Sequence, residues 1–290
     1  MQAQSATAPA EGVLHRLMPQ LAPQFQLALA PRADHKDYFR ITGTTGHIRV
    51  EAGTTPTLLF GVNWYLKYVA HLQVSTNGLQ LGRPGLKLPA LPAPIERPAL
   101  YPWRYALNEN VDGYSAPYWS LKRWQHEIDI LAMSGSNAVL IERGTDLVLY
   151  QTFRDAGYSD EAIRRWITQP AHQNWQLMGN MCCFDEPISM ELLKKRAESA
   201  KELIASLRRL GITPVLPGYY GIVPADFATT KPGAHVITQG DWNGFTRPGW
   251  LDPRDPHFAT LAESFYRHQR ALYGDTTIYD MEVFQEGGTD

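Results

Sequence analysis

Cysteine is almost missing: 290 residues carry two, Cys182 and Cys183, side by side. Adjacent cysteines close only a strained ring, so no structural disulfide is expected and a large core must hold without staples. No run of about 18 apolar residues occurs, which excludes a transmembrane helix. The first ten residues lack the apolar stretch of a signal peptide. A net charge of -2, from 27 basic and 29 acidic residues, leaves no basic field for nucleic acid or an anionic membrane. The nine histidines are scattered without His-Glu-x-x-His, and neither a Walker A loop nor a Gly-x-Ser-x-Gly elbow is present, so no metal or other cofactor is expected.

Apolar residues make up 44% and charged residues 19%, the composition of a globular enzyme of one or two domains. Eight Trp and 14 Tyr are present; most of these rings are expected in the core, and a minority is suited to pack against sugar C–H faces.

The chain reads as a small α/β domain followed by the first half of a (β/α)8 barrel. Residues 1–11 have the composition of a disordered tail. From 12 to 83, strands are expected at 25–29, 38–42 and 47–51, the last two flanking Gly43-Thr44-Thr45-Gly46. A helix follows over 56–71 with Leu59, Val62, Leu66 and Val69 on one face, then a strand run over 74–81 around Asn77-Gly78. Residues 84–98, with Pro84, Pro89, Pro92, Pro94 and Pro98, read as an extended linker.

Over 99–290 strand and helix alternate, which implies a parallel sheet. Strands are expected at 103–107, 137–141, 212–216 and 277–284. The helix marked by Leu121, Trp124, Ile128 and Leu131 ends at Gly135. A second, with Leu193, Ala197, Ala200, Ile204 and Leu207, ends near Gly211. A third starts at Asp255-Pro256 and runs to Gly274. The span 145–187 is expected to hold two short helices, one starting at Ser159. Long segments follow the strand ends, and in a barrel these build the active site.

Phe284-Gln285-Glu286-Gly287-Gly288 puts a carboxylate straight after the fourth strand, with glycines leaving room for a ligand. Gln285 is suited to hold a sugar hydroxyl. Retaining glycoside hydrolysis needs two carboxyls about 5–5.5 Å apart. Glu282 lies about 13 Å away along the strand and cannot be the partner. Glu142, Asp146 and Asp185 lie in loops, none in a recognisable nucleophile setting. Asn108 and Asn110 follow the first strand and can bind substrate hydroxyls or an acetamido group. Trp242 sits in Gly240-Asp241-Trp242-Asn243-Gly244, too polar to be core and suited to a sugar platform, and Phe184 can serve similarly.

Five ordered segments resemble the α-N-acetylglucosaminidases of glycoside hydrolase family 89, from about residue 45 to 288. They are Arg104-Tyr105 with Asn108; Trp119 with Arg123-Trp124-Gln125-His126-Glu127-Ile128-Asp129; Trp175-x-x-Met178-Gly179-Asn180; Thr213-Pro214-Val215-Leu216-Pro217 with Gly221-x-Val223-Pro224; and Tyr279 to Gly288. The resemblance implies a retaining exo-hydrolase releasing terminal α-linked N-acetylglucosamine, with Glu286 as acid/base. It puts Asn108, Asn110, Phe184, Trp242 and Gln285 at pocket positions. Gln285 stands where Asn or His is usual, Phe184 where Trp is, and Glu282 where Asp is common. The family's nucleophile lies on a later strand, so this chain is expected to be an N-terminal portion with little activity of its own. A periplasmic or secreted setting is implied. The competing expectations are another retaining barrel hexosaminidase and a non-catalytic carbohydrate-binding protein.

Overall fold

The computed structural model describes residues 5–34, 36–183, 186–281 and 286–287. The chain opens on helix α1 (Ala8–Leu17), which begins inside the stretch whose composition reads as a tail. Pro9 occupies its first turn, and Ala10, Val13, Leu14 and Leu17 bury one face, so packing overrides the small, polar start. Strands β1 (Phe25–Leu29), β2 (Tyr38–Thr44) and β3 (His47–Ala52) follow at the expected places. Helix α2 (Thr55–Tyr68) is capped by Thr54, whose hydroxyl accepts from the Thr57 N–H, with Pro56 in the first turn. The hairpin β4 (Gln73–Ser75) and β5 (Gly78–Gln80) turns at Thr76-Asn77.

The proline-rich segment is not a free linker. Its end forms β6 (Ile95–Pro98), an edge strand antiparallel to β2, where a proline's missing N–H costs nothing. Earlier in it, Leu88 is fully buried, its carbonyl accepting from Gly46 N–H and its own N–H bonding the Gln24 side chain.

β7 (Tyr105–Ala106) is shorter than expected, because Leu107 turns to φ 69° and ends it. Then come α3 (Val111–Tyr114), α4 (Leu121–Met133), β8 (Ala138–Leu140), α5 (Thr145–Asp155), α6 (Asp160–Trp166), α7 (Gln173–Leu177) and α8 (Met190–Arg209). Ser120 caps α4 and Ser159 caps α6. Among its described residues the span 145–187 thus holds three helices rather than two, because Thr145–Asp155 is itself a full amphipathic helix. The remaining elements are β9 (Thr213–Pro217), β10 (Ile222–Val223), α9 (Phe227–Thr230), β11 (Val236–Ile237), β12 (Asp241–Trp242), β13 (Phe245–Thr246), β14 (Gly249–Leu251), α10 (Pro256–Tyr273) and β15 (Tyr279–Asp280). Asp255 caps α10 as its Asp-Pro start implies. The expected strand 277–284 is seen as Tyr279–Asp280, and residues 282–285 lie outside the described ones.

Two packing units emerge. The first comprises Met1–Ala106, Ser120–Val139 and Ala205–Thr213. Its sheet has the order β1-β3-β2-β6, with β1 parallel to β3 and the other pairs antiparallel. Ile41, Ile48, Val50, Leu58, Leu59 and Val62 are fully buried between sheet and α2. Gly61 permits that approach: a Cβ there would lie 2.9 Å from Val50 Cγ1 and 3.0 Å from Phe39 Cβ. In this unit β7 pairs parallel with β8, and Thr213 N–H bonds the Asn137 carbonyl.

The second unit comprises Leu107–Trp119, Leu140–Ile204 and Pro214–Asp290. Here Ile141 N–H bonds the Val215 carbonyl, and β15 pairs parallel with β9. Strands alternate with helices here, a mixed α/β architecture. α5 packs on α10 through Gly144 (φ 90°), where the Tyr273 hydroxyl donates to the Gly144 carbonyl at 2.8 Å and leaves no room for a Cβ.

Candidate active site

The strand ends of the second unit carry the polar side chains. Asp280 closes β15 opposite Pro217, and the chain returns to the described residues at Glu286, exposed and at φ 56°. That left-handed backbone is rare for a residue with a Cβ and marks a constrained turn.

Two groups hold Glu286. Trp242 Nε1 donates to its carboxylate Oε2 at 2.8 Å, and Arg247 donates to its carbonyl at 3.1 Å. Trp242 lies on the β12–β13 hairpin, where Asp241 faces Thr246 and Trp242 faces Phe245. Asn243 and Gly244 turn it at φ 49° and 85°, the Asn-Gly hairpin signature. That dipeptide was the available sign that this loop is a short hairpin. Arg247 is buried and also donates to the Gly179 carbonyl and to Asn180 Oδ1, at 3.1 and 3.2 Å. Burial draws its pKa down, opposed by the Glu286 charge.

The Trp242 ring stacks on Trp175, centroids 5.2 Å apart, and Trp175 meets Tyr114 edge-on at 5.3 Å. Tyr114 ends α3, the turn that begins at Asn110. An aromatic path therefore links the segment after β7 to the Glu286 turn. Asn108 is exposed and its carbonyl accepts from Val111 N–H. Asn110 is half-buried, and its Oδ1 is buried without a hydrogen-bond partner among the described residues. Glu286 and Trp242 are brought into contact; Phe184 and Gln285 lie outside the described residues.

The cysteines correct the sequence reading: Cys182 and Cys183 are bridged to each other. The ring is accommodated because Cys183 takes up the left-handed region at φ 72°.

Beneath the strand ends lies an acidic cluster that no local motif announces. The Asn174 amide donates to the Glu142 carboxylate and to the Glu109 carbonyl. Burial, with Asp112, Glu109 and Asp280 adding to it, pushes the Glu142 carboxyl well above the usual range. Burial and then Glu109 raise Asp280 to about 6. Glu109, Glu142, Asp280 and Tyr219 line a cavity of about 20 Å³, room for one water.

Behind them Arg196 is 1% exposed. It donates to Asp146 and Asp112 at 2.8 Å each and to the Gln173 side-chain Oε1 at 2.6 Å. Burial alone would lower its pKa; the two carboxylates more than offset that and raise it. Its position was legible: Arg196 falls three residues after Leu193 and four before Ala200, on the apolar stripe of α8. A cation on such a stripe needs buried anions. Among the described residues, no group of His, Cys, Asp and Glu is arranged to hold a metal, and no helix is long and apolar enough to cross a membrane.

Two family models match. The one described as α-N-acetylglucosaminidase (NAGLU) tim-barrel domain covers residues 104–290, and its N-terminal domain counterpart covers 8–90. Human α-N-acetylglucosaminidase is 28% identical over 263 residues, 89% of this chain and 35% of its own length. A family 89 glycoside hydrolase from Clostridium perfringens, solved with 2-acetamido-1,2-dideoxynojirmycin, superposes with a TM-score of 0.91 at 29% identity, over 98% of this chain and 33% of that one. A variant of it solved with its substrate, GlcNAc-alpha-1,4-galactose, gives 0.91 at 29%, with the same coverage of 98% and 33%. The chain thus spans about a third of the length of these relatives.

Proposed function

This chain belongs to the α-N-acetylglucosaminidase family, and from that premise we propose that it serves the retaining hydrolysis of terminal α-linked N-acetylglucosamine, with Glu286 as acid/base. The observation that carries the reading is the Trp242–Glu286 contact. A carboxyl just beyond a parallel strand is held by an indole N–H of 2.8 Å reach, next to the stacked rings of Trp242 and Trp175. Stacked indoles offer a sugar an apolar face, and the donor fixes the carboxyl where a glycosidic oxygen can meet it.

In this mechanism Glu286 gives its proton to the leaving oxygen as a second carboxylate attacks the anomeric carbon. It then takes a proton from the water that releases the sugar. Asn108 and Asn110 serve substrate hydroxyls or the acetamido group. Phe184 and Gln285 complete the pocket by resemblance. The four strands form the first half of the barrel, preceded by the small α/β domain. The attacking carboxylate belongs to a later strand, so the 290-residue chain alone is expected to bind the sugar and turn it over slowly. A periplasmic or secreted setting agrees with the cysteine bridge, since such bonds persist where conditions are oxidising.

The test is Glu286→Ala in a protein that joins this chain to a second catalytic carboxylate, assayed on aryl α- and β-N-acetylglucosaminides. Loss of about a thousandfold or more in kcat/KM on the α-anomer is expected. Azide should restore turnover and yield the α-glycosyl azide. A β-azide would make Glu286 the nucleophile instead, and unchanged α-hydrolysis would refute the assignment.

A further inference from the structure

The mechanism leaves the Cys182–Cys183 bridge without a part, yet the bridge is wired to the Glu286 turn. Cys182 is buried and its N–H donates to the Thr246 carbonyl at 2.9 Å. Thr246 is paired with Asp241 in the hairpin that carries Trp242, whose indole holds the Glu286 carboxylate. The next residue, Arg247, bonds the Glu286 carbonyl and also Gly179 and Asn180, just before the cysteines. Segment 179–182, hairpin 241–247 and Glu286 are therefore one hydrogen-bonded assembly, with the disulfide at its edge. Cys183 is exposed, so a reductant can reach the pair from its side. The residue after Cys183 is Phe184, a pocket position by resemblance. The bridge keeps Cys183 at φ 72°, a backbone state a free cysteine leaves readily.

We propose that Cys182–Cys183 is a redox-addressable site on the rim of the Glu286 pocket, opened by small dithiols, and that its opening loosens the hairpin holding Glu286. This rests on Glu286 marking the functional site, but its readouts do not require hydrolysis. A dithiol thiolate attacks the Cys183 sulfur, forming a mixed disulfide. The bridge breaks and the electron pair leaves on the Cys182 sulfur, which takes up a proton. The second thiol of the reagent then displaces Cys183 as a thiol and leaves as a cyclic disulfide. The protein gains two electrons and two protons, and the dithiol loses them. Once open, Cys183 relaxes toward extended backbone and the Cys182–Thr246 bond weakens.

The experiment uses the 290-residue chain purified without reductant. Maleimide labelling in denaturant, read by intact mass, should count no thiols before dithiothreitol and two after it. Hydrogen exchange over residues 241–248 should then speed up by about tenfold on reduction, while α2 stays unchanged. The double variant Cys182→Ser, Cys183→Ser should exchange like the reduced protein; if it does not fold, the reduced wild type carries the comparison. Two free thiols that mild oxidation cannot join would overturn the proposal. So would reduction that leaves exchange at 241–248 unaltered. Failure of the Glu286→Ala assay would change neither the thiol count nor the exchange, so the two ideas fall separately.

Discussion

Two arginines show how differently the two packing units are built. Arg32 in the first unit meets Glu96 at 2.7 Å with both side chains about two-fifths exposed. Arg196 in the second unit meets Asp112 and Asp146 at 2.8 Å with all three nearly sealed from water. The distances are alike and the physics is not. Beside Arg32, the sheet and α2 of the first unit are held by hydrocarbon such as Ile41, Ile48 and Leu59. The first unit buries Asp129 only against a half-exposed Arg16, whereas the second keeps both signs of charge inside, where a missing partner is costly and a present one fixes geometry. A binding pocket needs fixed polar groups, and this unit carries them.

The largest effect should come from Arg196→Met. It leaves Asp112 and Asp146 buried without their cation while roughly keeping the volume. A loss of about 3–5 kcal/mol is expected in urea unfolding. Because Asp112 lies on α3, just after Asn110, binding of an N-acetylglucosamine analogue should fall as well. If stability drops by less than about 1 kcal/mol, the guanidinium is not needed there and the contrast between the units loses its ground.

The same contrast explains what could be read from the chain. In the first unit, alternation over 38–42 and 47–51 and the stripe of α2 report burial directly, because neighbours along the chain share a face. What failed there was the tail and linker reading: the burial of Ala10 and Leu88 depends on partners distant in sequence. In the second unit β9 and the capped helices α6 and α10 were legible, since Ser159 and Asp255 act locally, but the short strands β10 to β14 were not. The polar assembly was not. Glu109, Glu142, Asn174 and Asp280 meet only after folding, and Arg247 sits in a loop without a local signal. Glu286 was singled out by its place after a strand and Trp242 by its polar loop, and both by resemblance. Their contact has no signature in either segment alone.

A smaller effect should appear in the pH dependence. Asp280 is raised to about 6 from its ordinary 3.8, by burial and by Glu109. A carboxyl raised on folding holds its proton more tightly in the folded state. Its contribution is therefore fully present below about pH 4 and is lost as pH rises through about 6. The full shift corresponds to about 3 kcal/mol, but Asp280 is partly exposed, so roughly 1–2 is the figure to expect. Asp280→Asn should match the wild type near pH 4 and exceed it at pH 7.5 in urea midpoint. Parallel curves across that window would mean the cluster pays no penalty for its charge.

The smallest effect belongs to the exposed pair. Glu96→Gln keeps the size of the side chain and removes the charge that Arg32 meets. Its urea midpoint should not move measurably, and whatever movement occurs should vanish at 1 M salt. The reason lies in the surroundings. Water solvates Arg32 almost as well alone as beside Glu96, and the guanidinium also rests 3.6 Å from the centre of the Tyr38 ring, a contact that survives the substitution. A clear loss of stability would mean that the edge of this sheet relies on charge as the second unit does. The distinction between a hydrocarbon-built support and a charge-built site would then have to be redrawn at β6.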